Sequence, residues 1–322
     1  MTHTTDGILG WAGSGLLYVQ RFPRSAFLLV VVALTIAAPA APGTALVAAQ
    51  RSLGDATILA SAPGHGRVVA VADARVVLDP TTGPVRGAPA PAADPSGDRY
   101  NAGLAGSAVG QLFGTEDGQD GACTATVVAS QSGSVLATAG HCVFLDGQWA
   151  QDIEFIPGRD GRRAPYGRWK VDSVAVDQRW AKGQDWSHDV AFLRLAPQDG
   201  KTIAAVTGAQ GISFSLPADQ PPVTLLGYPG EEPFDGTTLR RCSAPAAATD
   251  DPAGARSWGM ACEMTAGFSG GPVLTDFDPA AGAGYVIGVG SHYRLSSNDR
   301  WSARLDDDAL ALYRSMDSAG PA

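Results

Sequence analysis

The sequence predicts an all-β protein closed by one short carboxy-terminal helix, and three observations predict it. The chain has 322 residues and is 45% hydrophobic, enough to pack the core of one or two domains. Only 17% of its residues are charged, while 40 glycines and 22 prolines gather in turn-like clusters. Between those clusters run short stretches of Val, Ile, Leu and Thr in alternation, the pattern of half-buried strands rather than of long helices. A net charge of −9 and a pI near 4.9 offer no basic face to nucleic acid or to an anionic membrane, so neither partner is expected.

The elements follow in order. Within residues 1–49, Arg21 and Arg24 precede an apolar run from Ala26 to about Ala38, and small residues with Pro39 and Pro42 come next. That is the layout of a secretory signal, with cleavage after Ala40 or Ala49. The run is shorter than the roughly 20 residues of a membrane span, which leaves an uncleaved anchor as the lesser alternative. The polar stretch 1–20 is long for a leader, and a start of translation near Val19 suits a signal better. Residues 50–101 read as a pro-segment or linker, with a hairpin in "GRVVAVADARVVLD" and a Pro/Ala-rich end, "GAPAPAADPSGD". Residues 102–322 carry the strands "AVGQLFG", "CTATVVAS", "GSVLATAG", "DIEFIPG", "DVAFLRL", "VTLLGYPG", "GPVLTDF" and "GYVIGVGS". In "DDDALALYRSM", Asp306 to Asp308 stand at a helix start, and Leu310, Tyr313 and Met316 share one face.

Export to an oxidising space bears on Cys123, Cys142, Cys242 and Cys262. Four cysteines permit three pairings; sequential pairing would close two loops of about 20 residues, each worth about 3 kcal/mol. No C-x-x-C or H-E-x-x-H spacing occurs, so neither a metal site nor a cofactor is expected.

"GFSGGPV", Gly267 to Val273, carries the chemistry. A serine hydroxyl is a weak nucleophile and requires a base. Since His3 and His65 precede the strand-rich region, the base comes from His141, His188 or His292. His141 ends an apolar run, "LATAG", and stands beside Cys142, a setting in which a disulfide would hold its backbone. A base that must hold a proton gains from a buried carboxylate on its other nitrogen. Asp189, directly before the apolar run Val190 to Leu195, is the best placed; Asp185 and Asp177 are its rivals. His188 would face away from Asp189 on an extended chain and is expected to be an exposed polar residue.

The serine motif also fits the Gly-x-Ser-x-Gly elbow of α/β-hydrolases. That elbow requires Ser, then an acid, then His, with a helix after the serine. Here Pro272 and the strand-like "PVLTDF" follow Ser269, and no long series of strand, helix and strand precedes it, so the elbow is rejected.

The order His141, Asp189, Ser269, carried by "TAGHC", "DVAFLRL" and "GFSGGPV", resembles that of chymotrypsin-like (trypsin-like) serine proteases. "EFIPGRDGRRAPYGRW" and "CEMTAGFSGGP" resemble the secreted bacterial trypsin-like and glutamyl-endopeptidase-like branch, and the likeness runs from about Ser107 to Ser318. The resemblance implies two antiparallel six-stranded β-barrels with the site in the cleft between them. It implies Ser269 as nucleophile, His141 as general base and acid, and Asp189 as its orienting carboxylate. The amides of Gly267 and Ser269 would receive the oxyanion, with Cys123 and Cys142 bracketing His141. Substrate contacts would fall to Glu263, Ser291 and Tyr293. The expected product is a secreted, monomeric endopeptidase acting on proteins or peptides. A catalytically silent binding module on the same fold is the alternative.

Several positions depart from the family pattern. Phe268 stands where animal digestive members carry the aspartate that receives a new amino terminus, so activation by that ion pair is absent. A precursor unblocked by trimming near Asn101 is still expected. Glu263, by simple counting, would select Arg or Lys from the pocket floor; Tyr293 would narrow the pocket toward small or apolar residues. Gly290, where glutamate-specific relatives carry histidine, argues against an acidic preference. His292 faces substrate or packs.

Overall fold

The computed structural model describes residues 99–318, apart from 117, 216–221, 252, 253 and 296, together with the two-residue strands Leu17–Tyr18, Ile58–Leu59 and Thr81–Thr82. The secretory signal and the hairpin expected in the pro-segment lie outside the described residues. No helix among the described residues is long and apolar enough to cross a membrane.

Two β-structures divide the body. The first contains β1 (Val109–Glu116), β2 (Gln119–Val127), β3 (Val135–Thr138), β4 (Gln151–Pro157), β5 (Trp169–Asp177) and β6 (Ala191–Leu195). Every pairing is antiparallel, in the order β6, β3, β2, β1, β4, β5, and β5 pairs back onto β6, so the barrel closes and leaves no edge. Leu112, Val127, Leu136, Phe155, Trp169 and Leu193 fill it, all buried. Burying a side chain of that size stabilises by about 1.5 to 3 kcal/mol, which is why alternation fixes the register here.

After β7 (Gly211–Ser213) comes the second structure: β8 (Pro222–Gly227), β9 (Arg240–Pro245), β10 (Ala247–Asp250), β11 (Arg256–Ala261), β12 (Pro272–Asp278), β13 (Ala283–Arg294) and β14 (Asp299–Arg304). The order is β9, β8, β12, β13, β14, β11, β10. Its two ends, β9 and β10, are halves of a single run broken at buried Ala246, so the sheet curls back on itself. Val223, Leu225, Trp258, Val273 and Ile287 form its core. Strands β5, β7, β9, β10, β11 and β14 were not among those expected from sequence.

Each half holds a flanking segment of the other. Before β1, the Tyr100 amide donates to Leu239 O (2.9 Å), its hydroxyl to Pro279 O (2.9 Å), and the Leu104 amide to Ala281 O (2.9 Å), all acceptors in the second half. Tyr100 and Ala102 are both buried. At the other end, the helix Asp307–Ser318 leaves the second half and lies on the first. Asp306 Oδ1 accepts from the amides of Asp308 and Ala309 (both 3.1 Å), capping the helix, and the acidic first turn suits its positive end. The buried face is Ala309, Leu312, Tyr313 and Met316, with Leu310 at its margin rather than its centre. Tyr313 packs edge-on against Phe192 at 5.7 Å and donates to Ala129 O at 2.7 Å.

Candidate active site

His141 lies in the 3-10 turn Gly140–Cys142 that ends β3. Cys142 is bonded to Cys123 of β2 and Cys242 to Cys262, the sequential pairing of the three. The first bridge therefore ties the turn that carries His141 to the neighbouring strand. Asp189 follows another 3-10 turn, Trp186–His188, and precedes β6. Its carboxylate is fully buried: Oδ1 accepts from the His141 amide (2.8 Å), and Oδ2 lies 2.8 Å from His141 Nδ1. Both rivals are engaged elsewhere. Asp185 caps the Trp186–His188 turn, and Asp177 caps the helix Gln178–Gly183 and pairs with Arg179 at 2.7 Å. The turn also corrects the expectation for His188. It is half-buried, with Nδ1 3.0 Å from Asp185 Oδ2, because the chain before Asp189 is coiled and not extended.

Burial opposes protonation of His141, but the charge of Asp189 and the hydrogen bond to it outweigh that, so the imidazole stands above the usual histidine value. Burial likewise opposes ionisation of Asp189. The His141 charge and hydrogen bonds from His141 and Ser291 outweigh it and hold the carboxyl below the usual range.

Ser269 sits on the loop before β12. It is 7% exposed, and its hydroxyl is 3.5 Å from Ser291 O. Ser291 Oγ donates to Asp189 Oδ2 at 2.5 Å, so Ser291 touches both Ser269 and Asp189. Gly267 has φ +100°, and a Cβ there would lie 2.4 Å from Tyr228 O, so no side chain is tolerated. Thr124, next to Cys123 on β2, holds this loop from the first barrel. Its amide donates to Ser269 O (2.7 Å), and its hydroxyl donates to Gly267 O (2.8 Å) and accepts from the Tyr228 amide (3.0 Å). Sequence reasoning passed over Thr124, whose only signal is its place inside an alternating run beside a cysteine.

The remaining wall differs from expectation. Glu263 is exposed and accepts a 3.5 Å hydrogen bond from Asn298, so its carboxylate does not floor a buried pocket. Tyr293 is buried, as is Ser291; its ring meets Phe268 edge-on at 5.9 Å, and its hydroxyl donates to Glu231 at 2.8 Å. The guanidinium of Arg300, also buried, lies 4.9 Å from the Tyr293 ring and donates to Met264 O. Phe268 is wholly buried against Gly227 and Gly290. His292 packs, between Trp186 and Trp301.

Residues 123–289 match the model of the trypsin-like peptidase domain. Over 115 residues the chain is 30% identical to glutamyl endopeptidase of Bacillus licheniformis, a match spanning 35% of this chain and 34% of that protein. Its fold is similar to that of the thermostable serine protease AL20 from an extremophilic microorganism, with TM-score 0.62 and 30% identity, covering 67% of this chain and 100% of the other. Protease Anisep from Arthrobacter nicotinovorans is similar too, with TM-score 0.61 and 28% identity over 66% of this chain and 96% of its own. With the domain match enclosing His141, Asp189 and Ser269, and both halves of the fold present, the chain belongs to the trypsin-like peptidase family.

Proposed function

We propose that this peptidase is a secreted serine endopeptidase in which Ser269, His141 and Asp189 act together. The observation that carries the reading is the 2.8 Å contact between His141 Nδ1 and a fully buried Asp189, with Ser291 touching both that carboxylate and the Ser269 hydroxyl. Asp189 accepts a hydrogen bond from Nδ1–H of His141, which keeps that proton on Nδ1 and leaves Nε2 basic. As Ser269 Oγ attacks the scissile carbonyl carbon, Nε2 receives the hydroxyl proton and later delivers it to the leaving amine. Water then enters by the same route and releases the acyl group. The amides of Gly267 and Ser269 receive the oxyanion, and one such donor is worth about 3 to 4 kcal/mol of the barrier.

Secretion is supported by the two disulfides and by the apolar run behind Arg21 and Arg24. A precursor trimmed on the way out fits the Pro/Ala-rich stretch. Buried Tyr100 moves the proposed cut upstream of Arg99 rather than to Asn101. A fluorophosphonate probe tests the catalytic reading: the processed protein labels and Ser269→Ala does not. Absence of labelling in the processed protein would instead favour a silent binding module.

For specificity we propose a small or apolar side chain on the acyl side of the scissile bond. Exposed Glu263 withdraws the anion that would select Arg or Lys, and the buried rings of Tyr293 and Phe268 fill the wall beside Ser291. A peptide-library profile is expected to show small or apolar residues there; cleavage after Arg or Lys, or after Glu or Asp, overturns it.

A further inference from the structure

The hydrogen-bonded chain behind His141 does not stop at Asp189. Ser291 Oγ, whose proton goes to Asp189, lies 3.0 Å from Nδ1 of His292, and Nε2 of that ring lies 2.9 Å from Oδ2 of Asp251. All three side chains are buried. Consecutive residues on a strand normally face opposite sides. Here the pairing of β13 with β14 shifts register between Gly290 and His292, and this bulge turns both Ser291 and His292 inward. Asp251, in the turn after β10, is itself held: Oδ1 accepts from the Ala255 amide at 3.0 Å and Oδ2 from Ser257 Oγ at 2.9 Å. The His292 ring is clamped between Trp186, at 4.7 Å, and Trp301, stacked at 5.6 Å.

Protons along this chain can be counted. The one proton of Ser291 is given to Asp189, so its oxygen presents a lone pair to His292 and requires a proton on Nδ1. On the far side of the ring Nε2 lies 2.9 Å from Asp251 Oδ2, close but not aligned as a hydrogen bond. Burial works against ionisation of Asp251, but its contact with His292 and its bonds from Ala255 and Ser257 hold its carboxyl below the usual range. The charged groups facing His292 are Asp251 directly, Asp189 through Ser291, and Arg294, whose guanidinium packs on Trp301.

We infer that Asp251 and His292 are positioning residues. They form a second histidine–carboxylate pair, seated in the second half of the fold, which fixes the Ser291 hydroxyl on Asp189 and so aims His141. The inference rests on the catalytic reading of Ser269, His141 and Asp189.

The test compares Asp251→Asn, Ser291→Ala and their double variant in the processed protein with a peptide substrate. Asp251→Asn is expected to lower kcat about tenfold with KM little changed, and to add nothing in the Ser291→Ala background, the signature of groups that act through one another. The acid limb of the kcat/KM profile and the low-field proton resonance of His141 Nδ1–H should shift with it. If Asp251→Asn does not fold, Asp251→Asn/His292→Phe keeps the ring stack, removes the contact between the two side chains, and should match Ser291→Ala. Unchanged kcat, pH profile and resonance would overturn the inference, as would a full additional loss in the Ser291→Ala background. A wild-type protein that does not label with fluorophosphonate would overturn the catalytic reading instead.

Discussion

The ring of Phe268 fills the space that any side chain at Gly290 would enter: a Cβ at 290 would lie 2.7 Å from Cδ2 and 2.8 Å from Cε2 of that ring. The residue that replaces the usual aspartate of the serine loop thus dictates the glycine two positions before His292. A histidine at 290, as in glutamate-specific relatives, is closed to this chain for a steric reason. Gly290→Ala is expected to cost about 1 to 3 kcal/mol through overpacking. Thermal unfolding of the Ser269→Ala protein would show it, and Phe268→Ala in the same molecule should recover part of the loss. Equal melting temperatures with and without the Gly290→Ala substitution would refute the steric argument.

Thr124 offers a second test. Thr124→Val keeps the shape but removes the hydroxyl that donates to Gly267 O and accepts from the Tyr228 amide. Two buried backbone groups are left unpaired, each at a cost of about 1 to 3 kcal/mol. Stability should fall by that order, and fluorophosphonate labelling should slow, because the Gly267 peptide is no longer held. Labelling at the wild-type rate would show that the loop needs no support from the first barrel.

The pH dependence follows from His141 and Asp189. His141 is raised by Asp189, so its stabilising contribution is complete below the unfolded value of about 6.5 and is lost as pH rises through the folded value. Asp189 is depressed, so its contribution is present above about 3.9 and is lost as pH falls through its folded value. The proposed mechanism requires neutral His141, so kcat/KM should rise with a midpoint above about 6.5, where the stabilisation from its charge is fading. A rate profile and melting curves taken over the same pH range check both signs. A midpoint at or below the unperturbed value would contradict the ion pair.

Legibility in the sequence followed the physics of each element. Strands made mostly of buried apolar residues, such as β3 and β6, showed as short apolar runs between turns. Most of the missed strands carry charge: Lys170 and Asp172 in β5, Arg240 and Arg241 in β9, Arg256 in β11, and Arg300 and Arg304 in β14. At four of these residues the guanidinium lies over an aromatic ring, Arg240 on Phe234, Arg241 on Tyr100, Arg300 on Tyr293 and Arg304 on Trp258, so a charged residue there packs as an apolar one would. His141, Asp189 and Ser269 were legible because each sits in a local motif. Thr124 and Asp251 were not, since their roles arise from contacts between distant segments, and Glu263 was misplaced because counting back from Ser269 presumes a loop of fixed length.

The two segments that cross between the halves have a mechanical result. His141 and Asp189 come from one half and Ser269 from the other, yet Tyr100 is fastened to the second and Tyr313 to the first. The cleft cannot widen without breaking one of these attachments. Coupled in this way, the two halves are expected to melt in a single transition, which calorimetry of the Ser269→Ala protein would show.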